Sequence, residues 1–146
     1  MTDFEFIMVG CGSSSGTPIA HCCVKKPITC NVCKDAFLNP QSRNRRGNPC
    51  GLLRFKNKNV VIDCGKSFKT AMLEIVKKHD DIDSVDAVVL THAHADACLG
   101  LDDLREWLKG PRLKEIPIDV FVRDVDLPDI RRTFPYLVDR DQATGS

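Results

Sequence analysis

The stretch that most constrains this chain is VDAVVL followed by THAHAD, residues 85–96. A short apolar run of β-branched residues reads as a buried strand over 85–90. At its end stand two imidazoles, His92 and His94, and then a carboxylate, Asp96. Alternate residues of an extended chain share one side, so His92 and His94 project together. A loop past the strand end can then bring Asp96 round to them. Neutral imidazole nitrogen and carboxylate oxygen suit zinc, manganese or iron. H-x-H alone is common among surface histidines. H-x-H-x-D after a buried strand, ahead of a turn at Gly100 and a helix, points to metal ligation. A cation held by about three protein groups keeps an open position, and the water there ionises near pH 7 to give a metal-bound hydroxide. Asp96 would hold a second metal or manage the proton of the attacking water.

The rest of the pattern supplies a scaffold. FEFIMVG (4–10) reads as a strand and runs into the Gly/Ser turn GCGSSSGTP (10–18). That turn lacks the G-K-[ST] ending of a phosphate loop, so it is read as a turn lining the site. Residues 18–50 show neither helical nor strand period and read as a long Cys-rich loop. GLLRFK (51–56) and NVVID (59–63), separated by Asn57-Lys58, read as a hairpin. Ser67 caps a helix running to about His79, with Phe68, Ala71, Met72, Ile75 and Val76 as one apolar stripe. Leu101, Leu104, Trp107 and Leu108 give a second stripe, stopped by Gly110-Pro111. Trp107 is read as core, and Asp102-Asp103 as the helix start, where acids are favoured. IDVFV (118–122) is a fifth strand, and LPDIRRTF (127–134) a helix begun by Pro128. Strands first, then strands alternating with helices, indicate an α/β layer arrangement. With 146 residues and no repeat or linker, the expectation is one domain over 1–146.

Composition narrows the function classes. Hydrophobic residues make up 42% and charged residues 28%, the balance of a globule. No apolar run is long enough to span a bilayer. MTDFEFIMVG carries early acids and no basic n-region and does not read as a signal peptide, so the expectation is a cytoplasmic setting. Residues 1–60 hold nine Lys/Arg against three Asp/Glu, whereas 61–146 hold twelve against seventeen. The basic part, with Arg43, Arg45 and Arg46, is compatible with a small phosphodiester or other anionic ligand. The simpler reading is that these charges are solvated or face the acidic half. No aromatics interleave the basic stretch 25–46, so a nucleic-acid partner is unsupported.

Eight cysteines in a reducing compartment suggest metal binding or free thiols rather than disulfides. HCCVKKPITCNVC places Cys30-x-x-Cys33 at zinc-knuckle spacing. Two further ligands for a structural zinc would come from Cys22, Cys23, His21 or Cys50. Cys11, Cys64 and Cys98 flank strand ends and read as small buried residues.

VVLTHAHADACLGLDDLREW (88–107) resembles the H-x-H-x-D-H signature of the metallo-β-lactamase fold. NVVIDCG (59–65) resembles that fold's upstream strand and its terminal Asp, here Asp63. GCGSSSGTP resembles the first turn of a branch containing cyclic phosphodiesterases, tRNA 3′-processing nucleases and the protein B of pyrroloquinoline quinone synthesis. The resemblance implies that His92 and His94 bind a first metal, that Asp96 binds a second and acts on the water, and that Asp63 orients the site from behind. It also implies a structural zinc on a C-x-C-x-x-C loop. Here Ile28 stands at the first Cys of that triplet, so Cys22 or Cys23 would substitute.

Two departures stand out. The last histidine of the signature is Ala97, whose methyl cannot ligate metal. No histidine follows His94, whereas the family carries further His and Asp ligands in a second half. The expected architecture is therefore the first half of an αββα sandwich, a mixed sheet with helices on one face. Its uncovered face would be apolar, implying a homodimer or a missing C-terminal half. The function expected is a metal-dependent hydrolase, a phosphodiesterase by branch. The alternative is a non-catalytic zinc-binding module, or an inactive half of a hydrolase.

Overall fold

A computed structural model describes residues 4–107 and 117–139. Five strands form one mixed sheet in the order β1-β2-β3-β4-β5. They are β1 (Phe4–Gly10), β2 (Cys50–Phe55), β3 (Lys58–Ile62), β4 (Ala87–Val89) and β5 (Asp119–Phe121). The first three run antiparallel, whereas β3, β4 and β5 are parallel. The helices are α1 (Ala20–Cys23), α2 (Asn31–Leu38), α3 (Phe68–Val76), α4 (Ala95–Cys98), α5 (Leu104–Trp107), α6 (Leu127–Thr133) and α7 (Pro135–Val138), with a 3₁₀ turn at Leu101–Asp103.

One face of the sheet carries the core. Leu52, Val61 and Val88, neighbours across β2, β3 and β4, are fully buried against Phe68 and Met72 of α3 and against Leu101, Leu104, Ile130 and Phe134. Each such side chain contributes about 1.5–3 kcal/mol by leaving water. Period-2 alternation sends the intervening residues to the other face. There Phe4 (58% exposed), Phe6 (49%), Met8 (59%) and Phe121 (58%) stand open, with Phe55 and Val89 beside them. The sheet thus has helices on one face and an open apolar surface on the other, as expected for half of a two-sheet sandwich.

Some local expectations are corrected. Residues 18–50 are not one irregular loop, because they contain α1 and α2. In α2 only Cys33 and Ala36 are buried, while Phe37 and Leu38 point outward, so no stripe of large residues marks the helix. The hairpin turn is Lys56-Asn57, one residue earlier than expected. Both residues have positive φ, and Phe55 pairs with Lys58, the geometry that follows strand twist in two-residue hairpins. Helix α3 ends at Val76 rather than His79. Ser67 stands at its N-cap, but its hydroxyl makes no cap bond and instead accepts the Asn48 amide at 2.6 Å. Cys11 is exposed, unlike Cys64 and Cys98. Leu108 and the Gly110-Pro111 stop lie outside the described residues.

Candidate metal centre

The centre lies where β3 and β4 end side by side. Asp63 follows β3 with φ 60, a left-handed conformation that Asp tolerates better than most residues. Its amide donates to the Val89 carbonyl at 3.0 Å, tying the strand ends together. Its carboxylate accepts the Thr91 amide at Oδ1 and the Thr91 hydroxyl at Oδ2, both at 2.8 Å.

This double contact fixes His92. A threonine hydroxyl has one proton, and here it goes to Asp63. The Thr91 oxygen, 2.9 Å from His92 Nδ1, therefore accepts from an Nδ1–H. The tautomer that results leaves the Nε2 lone pair free for a cation. Nε2 lies 3.6 Å from Asp96 Oδ1. The His92 and His94 rings meet edge to face with centroids 4.8 Å apart. Donor atoms of His92, His94 and Asp96 all lie within 4.8 Å of one another. Donors about 2.0–2.2 Å from one ion are separated by about 3–4 Å, so the set fits a divalent cation after small side-chain adjustments.

The surrounding backbone brings Asp96 into place. Cys64 donates its amide to the Ala97 carbonyl at 2.6 Å, and Gly100 donates to the Cys64 carbonyl at 2.8 Å. Gly65 lets the chains approach: a Cβ there would fall 1.9 Å from the Asp96 carbonyl oxygen. A hydrogen bond from Ser14 holds the Asp96 carboxyl below the ordinary carboxylate range, with His92 adding to the effect. The Gly/Ser turn therefore does line the site. Ala97, where the family signature has histidine, is 1% exposed and belongs to the buried interior.

Two contributors were missed in the sequence. Asn48, 4% exposed, donates from Nδ2 to the Ser14 carbonyl at 2.8 Å and accepts the Ser67 amide at Oδ1, 3.3 Å. It welds the Gly/Ser turn to the head of α3. Asp126, ahead of α6, is held below the usual carboxylate range by Arg123, with the Ala93 amide, between the two histidines, as a further donor. Neither residue belongs to a recognisable spacing. A lone Asn before a proline and an Asp before Leu-Pro are ordinary loop chemistry. Asp102 is taken by the Tyr136 hydroxyl at 3.1 Å and by Arg105, away from the histidines, and Trp107 packs against the core.

The cysteine loop forms a second donor group. Cys22, Cys30 and Cys33 have sulfurs within 4.8 Å of one another. The first-turn amides of Cys33 and Val32 at the head of α2 lower the Cys30 thiol pKa. Zn–S bonds of about 2.3 Å place thiolates about 3.8 Å apart, so these three fit a zinc. Cys23 is not brought into the group; its sulfur faces the Cys33 carbonyl at 3.9 Å. Nor is His21, which is exposed. Cys50 is buried in the core instead, where desolvation and the nearby Asp63 push its thiol up to about 12.

Comparison with known proteins agrees with this geometry. Residues 58–145 match the family described as "Beta-lactamase superfamily domain". The chain is 36% identical over 101 residues to an octanoyltransferase of Porphyromonas gingivalis, covering 68% of this chain and 17% of that protein. It is 30% identical over 98 residues to ribonuclease Z of Metallosphaera sedula, covering 59% and 33%. Among solved structures it is similar to a diphosphatase from the PhnP family, with TM-score 0.73 and 27% identity, covering 92% of this chain and 47% of that one. The zinc-bound PqqB of Methylobacterium extorquens has the same fold, with TM-score 0.69 and 15% identity over 92% and 43%. The chain thus spans less than half the length of each of these proteins. The family match, the half-sandwich and the donor set at the strand end converge: the chain belongs to the metallo-β-lactamase superfamily, a superfamily of metal-dependent hydrolases.

Proposed function

We propose that this chain carries the metal-binding half of a hydrolase centre for phosphate esters, phosphodiesters foremost. The observation that supports it is the convergence of His92, His94 and Asp96 within 4.8 Å at a rigid strand end. The diphosphatase and the ribonuclease Z among its relatives lend the substrate class. His92 and His94 would hold zinc, manganese or iron, and a cation there would polarise a phosphoryl oxygen and ready a water for attack. Asp96, whose carboxyl Ser14 holds below the ordinary range, would accept the proton of such a water or align it. Asp63 acts through Thr91, holding His92 in one tautomer and one orientation. Because Ala97 offers no donor, the reading is of one principal metal.

The experiment is turnover of bis(p-nitrophenyl) phosphate with each metal added. The expected result is metal-dependent release of nitrophenolate that disappears in His92→Ala/His94→Ala. Absence of turnover with zinc, manganese and iron alike contradicts the catalytic reading.

A second reading, a zinc-binding module without turnover, is favoured by the trio Cys22, Cys30 and Cys33. It expects Cys30→Ser/Cys33→Ser to lose bound zinc and unfold the 18–50 segment, with no hydrolysis by any variant.

A further inference from the structure

Beside the metal centre, on the other side of the Gly/Ser turn, lies a cleft of about 220 Å³ bordered by Ser15, Thr17, Arg46, Asn48, Lys66 and Ser67. Its charge is one-sided. Elsewhere in the fold Arg54, Lys58, Lys69, Lys77, Arg105, Arg123 and Arg132 each pair with a carboxylate. Among the described residues Arg46 and Lys66 have no such partner, as is true of other surface cations such as Lys25, Arg43 and Lys78; what distinguishes the two is that both border one cleft that no acid lines. Two unneutralised cations therefore face one concave surface edged with hydroxyls.

The frame is rigid although the two charged side chains are exposed. Thr17 and Arg46 exchange backbone hydrogen bonds of 2.8 and 3.0 Å. Two residues beyond Arg46, buried Asn48 bonds Ser67 on one side and Ser14 on the other. The cleft also shares its walls with the metal centre. Ser14 bonds the Asp96 carboxylate while Ser15 borders the cleft. Gly65 presses on the Asp96 carbonyl while Lys66, the next residue, reaches the cleft.

A guanidinium presents a donor fork matched to phosphate oxygens, an ammonium adds a point charge, and hydroxyls complete a tetrahedral oxyanion's hydrogen bonds. We infer that this cleft is an oxyanion seat for a phosphate group that the substrate carries apart from the one that is cleaved, so that the preferred substrates bear a second phosphate. This rests on the hydrolase reading for its biological meaning, but not for its test.

The test is binding of inorganic pyrophosphate to the full chain stripped of metal with chelator, followed by amide shifts in NMR spectra. The expected result is shifts centred on Thr17, Arg46 and Lys66, binding unchanged in His92→Ala/His94→Ala, and about tenfold weaker binding in Arg46→Gln/Lys66→Gln, about 1.4 kcal/mol. Both changed side chains are exposed, and the Thr17–Arg46 pairing runs through the backbone alone, so the fold is expected to survive. Lys25→Gln/Lys26→Gln, an exposed pair outside the cleft, is expected to bind as wild type does. Equal loss in that control reduces the effect to net charge and overturns the inference. So does binding that survives Arg46→Gln/Lys66→Gln, or that depends on the histidines. A chain that binds pyrophosphate as described yet turns over no ester leaves the cleft standing and removes the hydrolase reading alone.

Discussion

Thr91 gives both its amide and its hydroxyl to Asp63, at 2.8 Å each, and turns its remaining lone pairs toward His92 Nδ1 at 2.9 Å. Three residues from two strand ends thus set which imidazole nitrogen faces the metal centre. Thr91→Val keeps the shape and the amide contact but removes the hydroxyl. The expected outcome is metal affinity lower by about 10–100-fold, as when a ligand's outer partner is lost. Stability should fall by about 1 kcal/mol. Calorimetric metal titration and urea unfolding measure the two separately, and equal affinity would show that Thr91 does not orient the ring.

Gly65→Ala tests the close approach on which Asp96 depends. The added Cβ meets the Asp96 carbonyl oxygen at 1.9 Å, and the obstruction is backbone, so the loop must shift. A loss of about 3 kcal/mol is expected in denaturant unfolding. Metal affinity should fall in the remaining folded protein.

Alkylation with and without zinc reads the cysteine loop. Cys11 is exposed and should react in both conditions. Cys50 and Cys64 are buried with thiols pushed up, and should react in neither while the protein is folded. Cys22 and Cys30 should react without zinc and be protected with it. Mass spectrometry of the labelled peptides supplies the pattern.

Acid should loosen the loop after α2. Ser42 and Asn44 both donate to Asp35, which lowers its pKa on folding. A depressed folded pKa contributes stability that is present above the unfolded value, about 3.9, and is lost as pH falls through the folded one. Thermal melts of wild type should therefore decline between about pH 4 and the folded pKa, and Asp35→Asn should flatten that part of the decline.

The open sheet face predicts association of the isolated chain. Phe4, Phe6 and Met8 on one edge strand and Phe121 on the other stand exposed on the same face, with Ile62 and Val89 in the row between Met8 and Phe121. Light scattering should show concentration-dependent oligomers, reduced by Phe6→Lys/Phe121→Lys. A monomer at all concentrations would mean that this face tolerates water as it stands.

What was legible in the sequence follows from what packs. The run VDAVVL and the stripe of Phe68, Met72 and Ile75 declare themselves because large apolar residues repeat at the period of their element. THAHAD drew attention because two imidazoles and a carboxylate at a strand end form an uncommon pattern, and the fold gathers those three donors within 4.8 Å. Helix α2 escaped because it buries only Cys33 and Ala36, residues too small to make a stripe. The hairpin shifted by one residue because Lys56 and Asn57, with no glycine, took positive φ. Asn48 and Asp126 escaped because their value lies in which distant backbone groups they meet. Cys23 was indistinguishable from Cys22 in sequence; only the direction of the short α1 turn separates them.

The most direct measurement of the central claim is a manganese titration followed by electron paramagnetic resonance. Manganese favours nitrogen and oxygen donors over thiolates, so it reports on the histidine centre rather than the cysteine loop. The account expects one saturable site in wild type, retained in Cys30→Ser/Cys33→Ser and weakened by more than about tenfold in His92→Ala/His94→Ala. Identical manganese binding by wild type and the double-histidine variant would contradict it.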